Sequence, residues 1–576
     1  MFVKRNNTRL NGKAYSSVLL VEGRREPAKR PAGRPAAGAA APKSRVVHHT
    51  LANLSNLPAE LIAVIEAYCK GQHPQLSGGA GAPQGANSPE QGANPPAVHM
   101  GPCYGLLAAV HALARELGIV KAVGEQSRTQ RLALFLIYAR LCHQGCRFSA
   151  ARWSEDHAVR EILQLEPFDE DDLYAALEYL EQHQGEIEAA LAPPPRPEGS
   201  QAIFMYDVTS VYFEGQHNEL AEYGYNRDGK KGKKQMVAGL LTDAQGQPLS
   251  IELYAGNTGD PPTFLDAVEK LKVRFGAQEI ALVGDRGMIK AMGKQALGEA
   301  KFRYVSALTD PQIRALLRKG QLQIELFEDI PVEVQVGGRR LILRCNAQTK
   351  KGEAARRADQ WDKVRAKMEA RNAQVEQQPL CQPASSLRQA QGWLKKYHLS
   401  PWVSVRMEGR HLVWSLDNAA REQAAQLDGC YVVETDLPEH GCDAQQVHER
   451  YIDLTKVERD FRTLKTGLLE IRPVFLRKAN RTRGHALASM LALRIARELD
   501  KLVAPLGLTA SDALSVLEGV RLICLGDPSL NLWRLADSYP QAQSQVLAVL
   551  PKLPAPLLSL AKPNSRRLTN PRQGRQ

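Results

Sequence analysis

The chain has 576 residues and a formal net charge of +13, which favours a polyanionic partner such as nucleic acid, although a basic protein without such a partner stays an alternative. Nine cysteines in this length exclude a disulfide framework, and no second Cys/His pair accompanies Cys142 and Cys146 at zinc-ligand spacing. Because the N-terminus has no secretory apolar region and no apolar run approaches the roughly 20 residues of a bilayer span, we expect a cytoplasmic protein without a membrane partner.

The first 99 residues are predicted to form a small module and a linker. Residues 1–72 are a basic N-terminal module in which Ala14–Glu22 and Arg45–Leu51 pair as a β-hairpin, followed by a helix. The cationic loop inside the hairpin contains Gly33-Arg34-Pro35, which resembles the core of an AT-hook for the DNA minor groove. A solvated loop is the alternative for this stretch. Residues 73–99, rich in Gly, Ala, Pro and Asn, are expected to be a flexible linker.

Helical periodicity dominates residues 100–197. In the first helix of this stretch, Leu106, Val110 and Leu113 fall on one face. We expect a helical domain here, with DNA binding as a candidate role that the residues themselves do not demand. At the other end of the chain, residues 506–576 are predicted to be a C-terminal helical segment with a basic tail.

A strand with a carboxylate in its middle opens the next region, residues 198–309. Gln201–Phe213 is rich in β-branched and aromatic residues, and Asp207 interrupts its apolar run. A carboxylate in a covered strand is costly unless it is paired, hydrogen-bonded or bound to a cation. The elements that follow are two strands, a helix and a strand: Met236–Thr242, Pro248–Tyr254, Pro262–Phe275 and Glu279–Asp285. This order is typical of the first part of a ribonuclease H-like core, in which the first three strands form a meander and the fourth lies beside the first.

A basic segment precedes the second strand. Gly224–Lys231 nearly matches a phosphate-binding P-loop, but Lys231 replaces the Ser/Thr that would hold Mg²⁺, and no buried strand comes before it. We therefore interpret the segment as a basic hairpin in which Lys233 and Lys234 are solvated or lie near phosphate.

The sheet is predicted to be interrupted and then resumed. Residues 310–425 depart from the preceding pattern and are expected to form an inserted subdomain, whereas residues 426–505 complete the core. The predicted fold class is α/β, with a ribonuclease H-like mixed five-stranded sheet and helices on both faces. A small β-hairpin module and a helical domain precede this core.

The helix predicted at Tyr451–Lys465 has two stripes. Its apolar face is built by Val457, Phe461, Leu464 and Leu468. The polar border beside it consists of Tyr451, Glu458, Arg462 and Lys465. The structural alternatives are an ordinary i, i+4 ion pair between Glu458 and Arg462 and, if the helix breaks near Asp453, a capping box of Thr455 and Glu458. Together with Asp207 and Asp285, however, Glu458 completes a set of three carboxylates that would repel one another unless divalent cations neutralised them.

The three acidic segments resemble those of the DDE transposases of bacterial insertion sequences. The resemblance lies in Tyr206–Thr209, in Val283–Met288, and in a helix signature of Tyr, Arg, Glu and Lys. Tyr451, Glu458 and Lys465 fit the spacing of this signature, whereas Leu454 stands where the signature has Arg.

This resemblance implies a DNA transposase with a ribonuclease H-like catalytic domain. Asp207, Asp285 and Glu458 would hold two Mg²⁺ or Mn²⁺ ions for cleavage at the transposon ends and strand transfer into target DNA. The residues expected to contact DNA are Tyr451, Lys465, Arg462, Arg286, Lys233 and Lys234. The implied partners are the terminal inverted repeats, target DNA and a second copy in a homodimer, with the protein on the nucleoid when bound. A nuclease without strand transfer and a non-catalytic DNA-binding relic are the alternatives.

Overall fold

The computed structural model describes residues 2–10, 13–26, 45–53, 66, 69, 98–193, 202–215, 217–225, 227, 229–230, 232–275, 280–286, 288–289, 291–378, 382–465, 468–472, 475–525, 533–536 and 538–554. The chain divides into two compact units, residues 1–94 and residues 95–576.

The N-terminal unit contains a three-stranded antiparallel sheet of β1 (Phe2–Leu10), β2 (Lys13–Glu26) and β3 (Arg45–Asn53). The predicted hairpin corresponds to β2 and β3, but β1 was not expected because its polar residues lack the alternation of a half-buried strand. The cationic loop with the AT-hook-like core, most of the predicted helix and the linker up to residue 97 lie outside the described residues.

The second unit, residues 95–576, combines strands and helices. The strands are β4 (Val98–Cys103), β5 (Ala202–Tyr212), β6 (Gln235–Asp243), β7 (Pro248–Ala255), β8 (Ile280–Gly284), β9 (Arg303–Ala307), β10 (Val332–Val336), β11 (Arg339–Cys345), β12 (Val403–Glu408), β13 (His411–Leu416), β14 (Cys430–Thr435), β15 (Arg521–Leu525) and β16 (Trp533–Arg534). The helices are α1 (Gly105–Glu116), α2 (Ile119–Val123), α3 (Arg128–Cys142), α4 (Arg147–Trp153), α5 (Val159–Leu163), α6 (Glu170–Gln182), α7 (Gln184–Ala190), α8 (Asp260–Val273), α9 (Ala291–Glu299), α10 (Asp310–Arg318), α11 (Ala347–Gln377), α12 (Pro383–Lys396), α13 (Asn418–Ala425), α14 (Ala444–Ile452), α15 (Leu454–Lys465), α16 (Ala479–Val503), α17 (Ala510–Leu517) and α18 (Gln541–Val549).

The main sheet has eight strands in the order β10-β11-β14-β9-β8-β5-β6-β7. As predicted, β5, β6 and β7 form an antiparallel meander and β8 lies beside β5, to which it is parallel. The prediction of five strands is wrong. The sheet continues beyond β9 because β14, β11 and β10 pair with one another in antiparallel fashion. Short apolar runs such as Leu341–Leu343 are buried in this extension, and their length alone did not reveal which sheet they would join.

The two faces of the sheet pack against different layers of helices. On β5, Met205 and Val211 belong to the larger core, which also contains apolar residues of α15 and α16. The alternate residues Phe204, Tyr206 and Val208 belong to a second core with α8. Because successive side chains of a strand point to opposite faces, Asp207 shares the face of Met205 and Val211. The predicted α/β class, with helices on both faces, is confirmed.

The long helix α16 lies in the middle of the larger core, and most of its residues are buried. It contacts β7 of the sheet and also α3 and α6 of the region predicted to be helical. Residues 98–193 are indeed mainly helical. A small antiparallel sheet of β4, β15 and β16 joins this region to the C-terminal segment. None of the helices in the described part of the chain combines the length and the apolar character that a bilayer span requires.

An excursion from the sheet between β11 and β14 has a core of its own. The 31-residue helix α11, together with α12 and the β12–β13 hairpin, buries Trp361, Met368, Leu394 and Trp402. The predicted inserted subdomain, residues 310–425, also includes β10 and β11, but these two strands are part of the main sheet.

Two glycine substitutions test the close packing of α16 on α6. A Cβ atom at Gly484 would lie 2.0 Å from the backbone oxygen of Leu177. We therefore expect Gly484→Ala to lower the free energy of unfolding by roughly 1–3 kcal/mol, as overpacking does. The matched control is Gly352→Ala in α11, where nothing lies within 4 Å. It should raise this free energy by about 0.5–1 kcal/mol. Chemical denaturation followed by circular dichroism measures both, and equal effects would contradict the packing described.

Candidate active site

The register between β5 and β8 brings two aspartates together. Met205 lies opposite Val283 and Tyr206 opposite Gly284, so that Asp285 follows directly beside Asp207. Neighbours in register on parallel strands present their side chains to the same face of the sheet. Asp207 is half-buried and Asp285 is exposed. Each accepts a hydrogen bond through Oδ1 from the following backbone amide, that of Val208 at 2.8 Å and that of Arg286 at 2.6 Å.

The third carboxylate belongs to α15. Glu458 is exposed beside the buried residues Val457 and Phe461, which pack into the same core as Met205. The stretch Tyr451–Lys465 is not one continuous helix, and the alternative of a break near Asp453 is the one found: α14 ends at Ile452 and α15 begins at Leu454. Tyr451 and Glu458 therefore lie on separate helices.

The three carboxylates influence one another electrostatically. Burial raises the pKa of Asp207 to about 7, and the negative charges of Asp285 and Glu458 add to this rise. The amide of Val208 and the Arg227 guanidinium oppose it. Among the described residues, however, no three His, Cys, Asp or Glu side chains converge closely enough to form a ready-made metal site. Asp285 and Glu458 are both exposed.

Tyr451 and Arg286 border the carboxylates. The Tyr451 hydroxyl lies 3.4 Å from Oδ1 of Asp285, to which it donates a hydrogen bond. Burial, followed by the charge of Asp285, raises the pKa of Tyr451 to about 12. Arg286 forms an ion pair with Asp310 at 3.4 Å. Both residues therefore lie beside Asp285, and their contact with DNA stays a prediction.

Arg462 and the two remaining signature positions of α15, Leu454 and Lys465, lie in different surroundings. Arg462 lines a cleft of about 260 Å³ together with Asp500 and Thr509, near the start of α17. Lys465 is half-buried at the end of α15. Leu454 is 7% exposed and belongs to the larger core, so the position at which the signature has Arg serves packing in this chain.

A basic and aromatic loop follows β5. Within this loop, which joins β5 to β6, Arg227 lies 5.6 Å from the ring centroid of Tyr225, and Lys234 lies 5.8 Å from that of Tyr223. Tyr223 and Tyr225 are 64% and 81% exposed. The backbone oxygen of Tyr225 accepts a hydrogen bond from Ser210 in β5 at 3.2 Å. Lys233 and Lys234 were predicted from the sequence, whereas Arg227 and both tyrosines were not, although the pattern Tyr-Gly-Tyr-Asn-Arg indicates them.

A buried ion pair holds α15 in position. Asp460 is 3% exposed, and its Oδ2 lies 2.8 Å from Nη1 of Arg497 on α16. Arg497 also donates to the backbone oxygens of Gln245 and Gly246 in the β6–β7 turn. Burial raises the pKa of Asp460 to about 7, and Arg497 opposes this rise. This pair was not predicted from the sequence, because its members are 37 residues apart in the chain.

The chain is thus an α/β protein with carboxylates collected on one face of a mixed sheet, next to a basic and aromatic loop. The family model of the transposase DDE domain matches residues 198–495, which is just over half of the chain and includes all three carboxylates. The chain belongs to the transposase DDE domain family and is a DNA transposase, an enzyme that acts on DNA. DDE transposases use divalent metal ions.

Comparison with solved structures gives a distant likeness. A chain of the cryo-EM structure of a piggyBac transposase synaptic complex with hairpin DNA has a TM-score of 0.35 and 10% sequence identity, covering 72% of this chain and 76% of that chain. A likeness of this size contributes nothing to the assignment, which rests on the family match. The search of curated proteins found no similar sequence.

The substitution Asp207→Asn tests the electrostatic strain in the metal-free protein. Because the pKa of Asp207 is about 7 in the folded state and near 3.9 in an unfolded chain, the folded wild type binds this proton more tightly. Its contribution to stability therefore falls as the pH rises from about 4 to 7. In the presence of a chelator, Asp207→Asn should melt roughly 2 °C or more above wild type at about pH 8 and near wild type at about pH 4.

The matched control for this experiment is Asp359→Asn, an exposed residue of α11 paired with Lys363. Its melting temperature should follow that of wild type throughout the pH series. A lower melting temperature of Asp207→Asn than of wild type at about pH 8 would mean that the charged form of Asp207 does not destabilise the fold, and would contradict the raised pKa.

Proposed function

We propose that this transposase cleaves DNA at the ends of a mobile element and transfers the freed 3′ ends into target DNA, with Asp207, Asp285 and Glu458 as the catalytic residues. The observation on which the proposal rests is the side-by-side position of Asp207 and Asp285 on parallel strands, with the charge of Glu458 acting on Asp207 from the overlying helix. The match of the family model over residues 198–495 supports this assignment.

The strand order supports a ribonuclease H-like catalytic core. Within the eight-stranded sheet, the strands β7-β6-β5-β8-β9 are neighbours in this order. β5 is the first strand of the core and β8 the fourth, and the two are parallel. In a core of this kind the first three strands are expected to form a meander and the fourth to lie beside the first. Asp207 lies on β5, the first strand, and Asp285 directly follows β8, the fourth.

The side chains fit hard divalent cations. All three proposed ligands are carboxylates, whose oxygens suit Mg²⁺ or Mn²⁺ better than zinc. The raised pKa of Asp207 indicates that negative charge at this position needs compensation, and two ions would supply it. When bound, such ions would lower the pKa of an attacking water or 3′-hydroxyl and stabilise the leaving oxygen. The protein itself contributes the orientation of the carboxylates, through β5, β8 and the anchored helix α15.

The loop after β5 is proposed to hold DNA beside the carboxylates. Lys233 and Lys234 would neutralise backbone phosphates, as would Arg227, and the exposed rings of Tyr223 and Tyr225 offer faces on which unpaired bases stack.

The likeness to the insertion-sequence branch suggests further contacts and partners. Tyr451, Arg286, Arg462 and Lys465 are the additional candidates for phosphate contact. Terminal inverted repeats and target DNA would be the substrates of a homodimer on the nucleoid. A nuclease without strand transfer and a non-catalytic DNA-binding relic are the competing functions that experiments must separate.

A cleavage and joining assay tests the proposed catalytic residues. Wild type should nick DNA at the terminal repeats with Mg²⁺ or Mn²⁺ and should join precut ends to target DNA. Asp207→Asn, Asp285→Asn and Glu458→Gln should each lower the nicking rate by about 10³-fold or more, since each removes a charged group at the reacting phosphate. Retained nicking in any of the three variants would reject the assignment.

The control Glu369→Gln, an exposed residue of α11, should leave nicking unchanged. Nicking by wild type without joining of precut ends would favour the nuclease. Binding of the ends without metal-dependent nicking would favour the relic.

The double substitution Lys233→Ala/Lys234→Ala tests the loop. If both lysines contact phosphates, the slope of log K against log salt concentration should become shallower by about 2. Fluorescence anisotropy with terminal-repeat DNA over a salt series measures this slope. The matched control is Lys395→Ala/Lys396→Ala, two adjacent exposed lysines at the end of α12. An equal change of slope in the control would mean that the effect of the loop is only one of net charge.

A further inference from the structure

Two cysteines face each other where the excursion between β11 and β14 joins the sheet. Cys345 is the last residue of β11 and Cys430 the first residue of β14, and the two are directly opposite in the antiparallel register. The amide of Cys345 donates to the backbone oxygen of Glu328 at 2.7 Å, and that of Cys430 donates to the oxygen of Leu427 at 3.0 Å. Because neither amide bonds across the pair, the two residues form a non-hydrogen-bonded pair, in which the Cα atoms are only about 4.5 Å apart and the side chains are closest.

The sulfur atoms of this pair share one hydrogen-bond acceptor. Sγ of Cys345 lies 3.6 Å and Sγ of Cys430 lies 3.5 Å from the backbone oxygen of Asp428. The two thiols are also close enough to hydrogen-bond to each other. A disulfide needs Cα atoms about 4.4–6.8 Å apart and side chains that point toward each other. A non-hydrogen-bonded pair with converging sulfur atoms meets both conditions without movement of the strands.

The environment of the pair gives a small reagent access to it but keeps the thiols protonated. Both cysteines are half-buried. Cys430 lines a cleft of about 330 Å³, whose wall also includes Arg286 and Arg357. Burial and the neighbouring Cys345 raise the pKa of Cys430 to about 12, so at neutral pH this residue is a thiol and not a metal-binding thiolate. The same shift makes thiol exchange at Cys430 slow.

We propose that Cys345 and Cys430 are a redox-sensitive pair, which forms an intramolecular disulfide when the protein meets an oxidant of the small-molecule disulfide class. A new Sγ–Sγ bond forms in the protein while the S–S bond of the oxidant breaks. The two protein thiols give up two protons and two electrons, and the oxidant takes them up as it becomes two thiols. In a reducing cytoplasm the pair stays as two thiols, so the bond forms only when the surroundings become oxidising.

The disulfide would link the start and the end of the excursion covalently. α11, α12, the β12–β13 hairpin and α13 all lie between the two cysteines, so closing this long loop restricts the unfolded chain and stabilises the folded one. In the reduced protein, polar contacts connect the same two points. Nη1 of Arg357 lies 2.8 Å from Oδ2 of Asp428, and the amide of Gly429 donates to Oε2 of Glu353 at 2.9 Å. These contacts position the thiols before any bond forms between them.

Peptide mapping of the full chain after incubation with oxidised glutathione at about pH 8 tests this proposal. Wild type should yield a linked pair of peptides containing Cys345 and Cys430, which dithiothreitol separates. Cys430→Ser should not yield this pair, whereas Cys69→Ser, a change at another half-buried cysteine, should keep it. Oxidised wild type without the linked pair, including a protein that only carries glutathione on either cysteine, would overturn the proposal.

Thermal unfolding gives a second measurement on the same samples. Oxidised wild type should melt about 2 °C or more above the reduced protein, and Cys430→Ser should melt at the same temperature in both states. A wild type that contains the linked pair but melts no higher than the reduced protein would overturn the proposed stabilisation. Because neither measurement uses DNA, the outcome is independent of the assignment of the catalytic carboxylates.

Discussion

The parallel pairing of β5 with β8 is the constraint on which the site depends. It fixes Asp207 and Asp285 side by side on one face of the sheet, and it does so with backbone hydrogen bonds that no repulsion between side chains can easily shift. Burial raises the pKa of Asp207, and the neighbouring charge of Asp285 adds to this rise. The sheet therefore holds negative charges in an arrangement that is unfavourable without cations. Carboxylates with strongly shifted pKa values are common at catalytic sites.

The position of Glu458 depends on a second interaction, the ion pair of Asp460 with Arg497. α15 is short and amphipathic, and its apolar stripe alone would allow it to slide or rotate on the sheet. The ion pair of Asp460 with Arg497, and the bonds of Arg497 to the β6–β7 turn, fix the helix to the sheet and to α16 at once. Because breaking one partner of a buried pair is costly, this connection resists rotation of α15. Glu458, two residues before Asp460 on the same helix, stays exposed, and its charge acts on Asp207.

Local sequence patterns predicted much of this fold, whereas the pairing of strands that are far apart in the chain was not predicted. The β-branched and aromatic run around Asp207 and the apolar run that ends at Asp285 identified β5 and β8, and the stripe of Val457 and Phe461 identified the face that α15 buries. The sequence could not show that β10, β11 and β14 extend the sheet, since strand partners depend on contacts far apart in the chain. The break between α14 and α15 at Asp453 was only an alternative at the level of the sequence, because helical periodicity continues across it. The roles of the selected residues in metal and DNA binding stay predictions.

The excursion between β11 and β14 leaves and rejoins the sheet at adjacent positions. Cys345 and Cys430 are directly opposite each other on the paired strands, and the amide of Asn346 donates to the oxygen of Gly429 at 2.8 Å. The ends of this long excursion are thus tied together like the base of a hairpin. Such an attachment lets the excursion be lengthened, shortened or exchanged during evolution without moving the strands that bear Asp207 and Asp285. It also restricts any swinging motion of the excursion to a pivot at this one closed base.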